Sequence, residues 1–264
     1  MGRLAPIPLD ELRRRVAAVP IWYHRMELAP GVETPGEFDL RPFVGRFGFP
    51  ASLAGLAAVD VGCSNGFFSF HLESLGAARV AAVELRSVVD HDAPKWYREQ
   101  EVARRGAREI ERLDREQLEA GFLLARDALG SGVEFLRHHV YELERALPGQ
   151  FDLVFCSGVL HHVRDPVGAL ENLRATGRPG ARFVLGCSCD LSSDASYAVF
   201  SGDLAGVTWW TMSREAILRM CRCAGFEEVE WRGHFQLAPR SHPERIGTVG
   251  IVHARVPAWQ VRDR

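Results

Sequence analysis

The sequence is poor in lysine and has no long hydrophobic run. Lys95 is the only lysine, so almost all of the 32 basic residues are arginine. No apolar run approaches the roughly 18 residues that a membrane-spanning helix needs. The first residues, Met1 to Pro6, lack the apolar core of a signal peptide. We therefore expect a cytoplasmic protein that does not enter a membrane.

The sequence also lacks an excess of positive charge. Its 32 Lys and Arg residues are interspersed with 34 Asp and Glu residues, which gives a net charge of −2 and a pI near 6.6. Nucleic-acid-binding proteins usually carry a basic patch, because contacts to phosphates dominate their affinity. The charge balance therefore favours a small-molecule substrate and argues against a nucleic-acid partner.

Two common cofactor motifs and one metal motif are missing. The sequence has no Gly-x-Gly-x-x-Gly turn and no Tyr-x-x-x-Lys pair, which argues against a nicotinamide-dependent oxidoreductase. Its six cysteines include two Cys-x-Cys pairs but no Cys-x-x-Cys. Alternate residues of a strand or helix point in different directions, so these pairs are poor zinc ligands. We predict reduced thiols and no metal site.

What the sequence does contain is a regular alternation of strand and helix patterns. Its 264 residues, 47% of them apolar, suffice for one domain with a full core and an N-terminal addition. The alternation predicts an α/β fold, in which helices cover both faces of a mostly parallel sheet. The predicted strands are residues 57–61, 79–84, 133–138, 151–156, 182–187, 227–235 and 247–255, and the predicted helices are residues 8–19, 66–76, 166–176 and 213–223.

The chain divides into an N-terminal addition, residues 1–50, and a domain, residues 51–256. The addition has one helix and then an irregular arm with large aromatic residues, which either closes over a ligand or packs as a strap on the sheet. The domain has an insertion at residues 90–130. Glu and Arg often stand four apart there, which predicts an exposed helix interrupted at Gly106. The insertion is read as a solvated flap, a substrate lid or a contact with a second copy of the chain.

A glycine turn follows the first predicted strand. Gly62 and Gly66 allow a tight turn and a close approach to a ligand, because neither has a Cβ. The next strand ends on Glu84, where an acidic side chain can accept hydrogen bonds from the two hydroxyls of a ribose. Asp60 before the turn would repel a phosphate but suits an ammonium group. The pattern therefore predicts an adenosine-type ligand with a positively charged end.

This turn resembles the first motif of class I S-adenosylmethionine (SAM) dependent methyltransferases. Phe151 to Pro166 resembles the fourth strand and following loop of those enzymes. Trp209 to Ser213, with Ala224-Gly-Phe226, is similar to a later region of one branch, the tRNA wobble-uridine carboxymethyltransferases and their small-molecule relatives. The resemblance covers about residues 20–256. It implies a Rossmann-like fold with a seven-stranded sheet that ends in an antiparallel hairpin, and it implies SAM as the cofactor.

The resemblance also implies which residues hold SAM. Those after the first strand hold its methionine end, those after the second its ribose, those after the third its adenine, and those after the fourth lie beside its methyl group. The implied residues are Asp60, Gly62, Cys63, Asn65, Gly66, Glu84, Leu85, Val140, Tyr141, Ser157 and Gly158.

Histidines at the carboxyl ends of the strands are the candidate bases. His161 and His162 follow the fourth strand and should face the crevice where doubly wound folds bind ligands. Histidine has a pKa suited to accepting a hydroxyl proton near pH 7. His24 on the arm is a third candidate. The alternative is that His161 and His162 begin a helix and only orient the loop. His71, His138 and His139 show no pattern beyond that of ordinary surface or helix histidines.

Aromatic residues are the candidates for substrate contact. Trp22 and Tyr23 lie on the arm, and Trp209 and Trp210 lie before a predicted helix. Their ring faces could bound an aromatic substrate or a sulfonium. Either tryptophan of the second pair could instead belong to the core.

Two departures from the wobble-uridine branch set the predicted reaction. His161 stands where that branch has tyrosine, and Tyr23 and Asp39 stand where it has basic residues that receive a carboxylated cofactor. We therefore predict methyl transfer to a small-molecule hydroxyl, on a natural product, sugar or phenol. The alternatives are a tRNA wobble-uridine (carboxy)methyltransferase and a SAM-binding protein with other chemistry.

Overall fold

The computed structural model describes residues 7–204 and 206–258, so the N-terminal segment 1–6 discussed above lies outside the described residues. Its centre is a seven-stranded sheet in the order β6-β7-β5-β4-β1-β2-β3. β7 runs antiparallel to both of its neighbours, β6 and β5. The other six strands run in the same direction. The predicted sheet with its antiparallel hairpin is confirmed. The strands are β1 (Ala57–Val61), β2 (Arg79–Glu84), β3 (Glu134–Arg137), β4 (Phe151–Ser157), β5 (Gly177–Ser188), β6 (Glu227–Leu237) and β7 (Gly247–Arg255).

Helices cover both faces of the sheet. The Ser213 side chain accepts a hydrogen bond from the Ala216 amide at 3.2 Å and so caps the last helix. The Asp165 side chain accepts a hydrogen bond from the Gly168 amide at 2.8 Å and so caps the helix that begins at Pro166. The helices are α1 (Leu9–Ala18), α2 (Phe67–Ser74), α3 (Lys95–Arg105), α4 (Ala107–Leu113), α5 (Ala120–Leu129), α6 (Leu143–Ala146), α7 (Pro166–Thr176) and α8 (Arg214–Cys223).

The core is divided into two layers by the sheet. Every residue of β1 is buried, as expected for a central parallel strand covered on both faces. Val59 and Val61 belong to the layer under α7 and α8. Ala58 belongs to the layer that contains α2, α5 and the N-terminal arm. Asp60 lies on the same face as Ala58, because side chains alternate along a strand.

The arm packs against this second layer. It contains a short hairpin, Glu27–Ala29 with Val32–Glu33, and a 3-10 helix, Arg41–Phe47. Phe47, the last residue of this 3-10 helix, is fully buried. The indole nitrogen of Trp22 donates a hydrogen bond to the carbonyl of Val16 at 3.0 Å, which joins the arm to α1.

The insertion is exposed at its start and buried at its end. Gly106 separates α3 from α4 with φ +77°, as predicted, and α3 has no buried residue. A π-helical turn, Asp114–Glu119, then leads into α5. Phe122 of α5 is fully buried, and its ring lies 4.5 Å from that of Phe135 in β3. The end of the insertion is therefore part of the core.

A second hairpin, Ala198–Asp203 with Thr208–Met212, was not predicted. Within the described parts of the chain, no helix has the length and apolar character needed to cross a bilayer.

Candidate active site

A cavity of about 500 Å³ opens at the carboxyl ends of β1, β2 and β4. This is the edge at which doubly wound sheets bind ligands. The arm forms one wall, and the segment that joins β6 to β7 forms another. The cavity thus lies where the predicted cofactor residues, the arm and the end of the sheet meet.

The glycine turn uses its two glycines differently. Gly62 lines the cavity, and a Cβ on it would lie only 2.4 Å from Cγ2 of Val159. Gly66 does not line the cavity; a Cβ there would lie 2.7 Å from the rings of Phe70 and Phe122. Both have positive φ, at +80° and +86°. Gly62 therefore keeps the turn close to the cavity, and Gly66 makes room for aromatic packing behind it.

Glu84 is held by backbone amides at the cavity wall. Its Oε2 accepts a hydrogen bond from the Ser64 amide at 2.8 Å, and its Oε1 accepts one from the Leu85 amide at 2.9 Å. Burial raises the pKa of this carboxyl group. Each carboxylate oxygen can accept a second hydrogen bond. The arrangement suits a ligand that offers two neighbouring hydroxyls.

Asp60 is a buried carboxyl group with one hydrogen-bond donor. It is 2% exposed, and the Ser69 hydroxyl donates to it at 2.6 Å. Burial raises the pKa of Asp60 to about 7. A buried carboxylate without a counter-charge is unfavourable. A cationic group in the cavity would stabilise its ionised form.

Seven of the predicted cofactor residues line the cavity: Asp60, Gly62, Glu84, Leu85, Val140, Ser157 and Gly158. Four do not line it, namely Cys63, Asn65, Gly66 and Tyr141. Cys63 is 2% exposed, and burial raises its pKa. These four residues contact other parts of the protein and not the cavity.

Asn65 supports the arm from beneath. Its side-chain oxygen accepts a hydrogen bond from the Tyr23 amide at 2.6 Å and a longer one from the His24 amide at 3.4 Å. Tyr23 and His24 both line the cavity, whereas Trp22 does not. The two interpretations of the arm therefore apply to different residues. Trp22 packs as a strap, and its two successors form the cavity wall.

The candidate bases all line the cavity. Burial lowers the pKa of His24 and of His161 to about 3. The expectation of an ordinary histidine pKa was therefore wrong for both, because the surroundings of each ring disfavour its charged form. His162 lies 3.9 Å from His161, centroid to centroid, and its Nδ1 is 2.9 Å from the Val207 carbonyl oxygen. That contact joins the loop after β4 to the second hairpin.

The tryptophans of the second hairpin do not line the cavity. Trp209 is 3% exposed. The indole nitrogen of Trp210 donates a hydrogen bond to the Arg164 carbonyl at 3.3 Å. Trp210 therefore supports the loop after β4, and neither tryptophan lines the cavity.

Several cavity residues were missed by sequence reasoning, among them Asp92, His138 and His139. Asp92, 8% exposed, accepts hydrogen bonds from the Arg164 amide at 2.6 Å and from the Tyr141 hydroxyl at 2.8 Å. It thereby joins the insertion to the loop after β4. His138 and His139, interpreted as ordinary histidines, line the cavity. Their position directly after the third strand was the signal that could have identified them.

Several polar atoms of the cavity wall have no partner within the described residues. His24, His138 and His161 each have a buried Nδ1 without a hydrogen bond. Buried polar atoms are nearly always hydrogen-bonded in folded proteins. No group of three or more His, Cys, Asp or Glu side chains within residues 7–204 and 206–258 is placed to hold a metal ion.

Comparison with known proteins finds methyltransferases among the proteins that this chain resembles. Residues 59–183 match the family described as a methyltransferase domain. The chain is 26% identical over 211 residues to a tRNA U34 carboxymethyltransferase of Cellvibrio japonicus, covering 79% of this chain and 55% of the relative. Together these matches support a class I SAM-dependent methyltransferase. This methyltransferase is also 29% identical over 133 residues to a ubiquinone biosynthesis O-methyltransferase of Xanthomonas euvesicatoria, covering 50% of this chain and 43% of that one.

A solved structure shows the same fold. The N-terminal domain of EvdMO1, determined with SAH bound, superposes with a TM-score of 0.61 at 19% identity and covers 95% of this methyltransferase and 98% of that chain. The methyltransferase spans only about half the length of the curated relatives it matches, 55% and 43% of the two named above.

SAM is the cofactor of this family, and the cavity fits it. The buried Asp60 and the half-buried Glu84 line the same cavity, where they can meet an ammonium group and a ribose. Because Gly62 has no Cβ, the turn can line the cavity beside Val159. The fit rests on these three residues together.

Proposed function

We propose that this methyltransferase transfers the methyl group of SAM to a hydroxyl group of a small molecule with an apolar or aromatic body, such as a phenol. The observation that carries the proposal is the composition of the cavity wall. Beside the acidic residues of β1 and β2, the wall has a second part formed by apolar side chains from the arm and from β6 and β7. Those side chains are Phe38, Leu40, Phe235, Leu237 and Val249.

The cavity volume supports a small acceptor. About 500 Å³ is within the usual range of small-molecule sites, about 300–1,000 Å³. The overall charge of −2 gives no general attraction to a polyanion such as tRNA. Both observations favour an acceptor that enters the cavity whole.

The residues that hold SAM would divide its parts among the strand ends. Asp60 would pair with the ammonium group, and Glu84 would accept hydrogen bonds from the ribose hydroxyls. Leu85 would lie with Glu84 beside the ribose, Val140 would contact the adenine, and Ser157 and Gly158 would lie beside the methyl group. The bound cofactor supplies a methyl group on a positively charged sulfur. The protein's main contribution is to hold the acceptor oxygen in line with that methyl group.

His161 would orient the acceptor hydroxyl. Its lowered pKa keeps the ring neutral at physiological pH, so one ring nitrogen can accept a hydrogen bond. The His161 ring lines the cavity, and its buried Nδ1 has no hydrogen-bond partner among the described residues. Since an imidazolium is disfavoured at this position, His161 would pass the hydroxyl proton on to solvent and would not retain it.

The runner-up is carboxymethyl transfer to tRNA, which the names of several relatives favour. That reaction needs a cation for the cofactor's carboxylate. Two arginines of the arm already have acidic partners: Arg25 pairs with Glu33 at 2.6 Å, and Arg41 pairs with Glu33 and with Asp39 at 2.7 Å. These two side chains are therefore already engaged and are poor partners for a carboxylated cofactor, which supports plain methyl transfer.

Methyl-labelled SAM tests the proposal. The protein is incubated with labelled SAM and a panel of phenols, and each product is separated and counted. We expect label in at least one phenol and none in bulk tRNA. Label in tRNA alone would support the runner-up, and SAH binding without any transfer would indicate a SAM-binding protein with other chemistry.

A further inference from the structure

The apolar part of the cavity ends in a single cationic side chain. Among the described residues that line the cavity, Arg245 is the only lysine or arginine. It lies in the segment between β6 and β7, and the apolar residues Leu237 and Pro239 line the same cavity. The hydroxyl residues Ser188 and Thr248 line the same region. An acceptor held there would therefore meet apolar surface, hydroxyl groups and one guanidinium.

The guanidinium of Arg245 is loosely partnered. Its Nε lies 4.0 Å from the nearest Glu244 carboxylate oxygen, which is beyond hydrogen-bond distance, and its side chain is 73% exposed. The arm arginines differ, because Arg25 and Arg41 make contacts of 2.6 to 2.7 Å with acidic groups. Arg245 thus retains donors that a ligand can use.

The segment that carries Arg245 is fixed to the arm. The Glu37 side chain accepts hydrogen bonds from the Ser241 amide at 2.8 Å and from the Ser241 hydroxyl. The Arg240 amide donates to the Glu37 carbonyl at 2.8 Å, and the Arg245 amide donates to the His242 carbonyl at 2.9 Å. These bonds hold the backbone of Arg245 at the cavity rim, so less freedom is lost when its side chain binds a ligand.

Each acidic side chain that lines the cavity has a binding partner or an assigned role other than Arg245. Glu84 accepts bonds from two amides, and Asp92 pairs with Arg164 at 2.8 Å. Asp60 is the group assigned above to the cofactor's ammonium. With these carboxyl groups occupied, Arg245 is left as the attractive charge for an anion.

We propose that Arg245 binds a carboxylate of the acceptor, so that the acceptor class is a hydroxylated aromatic or apolar acid. The inference rests on the proposed function, whose acceptor it specifies further. A guanidinium matches a carboxylate with two parallel hydrogen bonds, which gives direction as well as affinity. Arg245 is then a specificity residue that sets which acceptors enter with their hydroxyl group toward the methyl donor.

Calorimetry on the SAH-loaded protein tests this. The probes are hydroxybenzoates and hydroxycinnamates, each compared with its own primary amide, which has nearly the same shape but no charge. SAH binding is measured first, so failure of the proposed function is seen separately. For wild type we expect at least one acid to bind roughly tenfold more tightly than its amide.

Two variants locate the effect. Arg245→Gln should reduce the acid-to-amide ratio to about one while SAH affinity stays unchanged. Arg240→Gln is the matched control, because Arg240 is an exposed arginine of the same segment whose side chain does not line the cavity; it should keep the wild-type ratio. A wild type without preference for any acid, or an undiminished preference in Arg245→Gln, would overturn the inference.

A carboxylated SAM analogue distinguishes the other source of a carboxylate. If Arg245→Gln weakens binding of that analogue and leaves acceptor acids unaffected, Arg245 serves the cofactor, and the inference is wrong. If the variant weakens only the acceptor acids, the inference stands.

Discussion

The side-chain oxygen of Asn65 accepts a hydrogen bond from the backbone amide of Tyr23 at 2.6 Å. Asn65 belongs to the glycine turn, and Tyr23 belongs to the arm that forms the opposite wall of the cavity. One buried side chain thus connects the element that holds the cofactor with the element that covers it. Cofactor binding and arm position are therefore expected to depend on each other.

Asn65→Ala tests this dependence. The variant leaves the Tyr23 amide without its partner, which should cost about 1–3 kcal/mol of stability. It should also weaken SAH binding, measured by calorimetry, because the arm wall is no longer held. Asn172→Ala is the control, since Asn172 bonds to Glu144 and Gly168 and does not line the cavity. Equal SAH affinity in the two variants would mean that the arm is held by other contacts.

Gly62→Ala tests the close approach of the glycine turn. Its new Cβ would lie 2.4 Å from Val159, at φ +80°. We expect SAH affinity to fall by about tenfold or more, since 1.4 kcal/mol already gives a factor of ten. Gly180→Ala is the matched control, because Gly180 has φ +78° but open space around its Cβ. It should lose about 1 kcal/mol of stability through backbone strain and keep its SAH affinity.

The Asp60 carboxyl group should make cofactor binding pH-dependent. Its pKa is about 7 in the unliganded fold, so it is largely protonated at pH 6 and ionised at pH 8. A cationic ligand favours the ionised form, so SAH affinity should rise as pH increases through about 7. Titration calorimetry across this range measures the change, and Asp60→Asn should flatten it. A wild-type affinity that falls over the same range would contradict the pairing.

The same shift has a consequence for stability. The pKa of Asp60 is raised from 3.8 in the unfolded chain to about 7 in the fold, so the folded state binds the proton more tightly. Asp60 should therefore contribute to the unfolding free energy of the unliganded protein at low pH. This contribution is fully present below pH 3.8 and is lost as the pH rises through about 7. Denaturant titrations of wild type and Asp60→Asn would isolate it.

His161→Ala tests the role of the loop after β4. Turnover should fall by roughly a hundredfold, because the acceptor hydroxyl loses its orienting hydrogen bond, while SAH affinity changes little. His71→Ala is the control, since His71 lies on α2 and does not line the cavity. A parallel loss of SAH affinity in His161→Ala would make His161 a cofactor contact.

The sheet was predicted almost completely because its strands are apolar runs bounded by turn residues. Predicted strand 182–187 starts earlier in the structure, at Gly177. Pro179 and Gly180 are residue types that favour a turn, but the strand extends through both of them. The hairpin Ala198–Asp203 with Thr208–Met212 was missed, because all six residues of its first strand lie outside the core and give no buried-strand pattern.

Most predicted residues that line the cavity follow a strand end, and Tyr23 and His24 of the arm are the exceptions. Asp60, Glu84, Ser157 and His161 all stand at or just after the carboxyl ends of strands, and all line the cavity. Arg245 reaches the cavity only through tertiary packing, as do Asp92 and Phe38, because each lies in a connecting segment. The residues around them in the sequence do not predict that they line the cavity. The position of a connecting segment depends on contacts with residues far away in the sequence, such as the hydrogen bond between Ser241 and Glu37.

A competition titration between SAM and its carboxylated analogue, followed by mass analysis of the product, tests the central claim most directly. The account predicts that SAM binds more tightly and that the acceptor gains a methyl group. Its reason is that Arg25 and Arg41 are already paired with Glu33 and Asp39. Tighter binding of the carboxylated analogue, with a carboxymethyl group found on any acceptor, would contradict it.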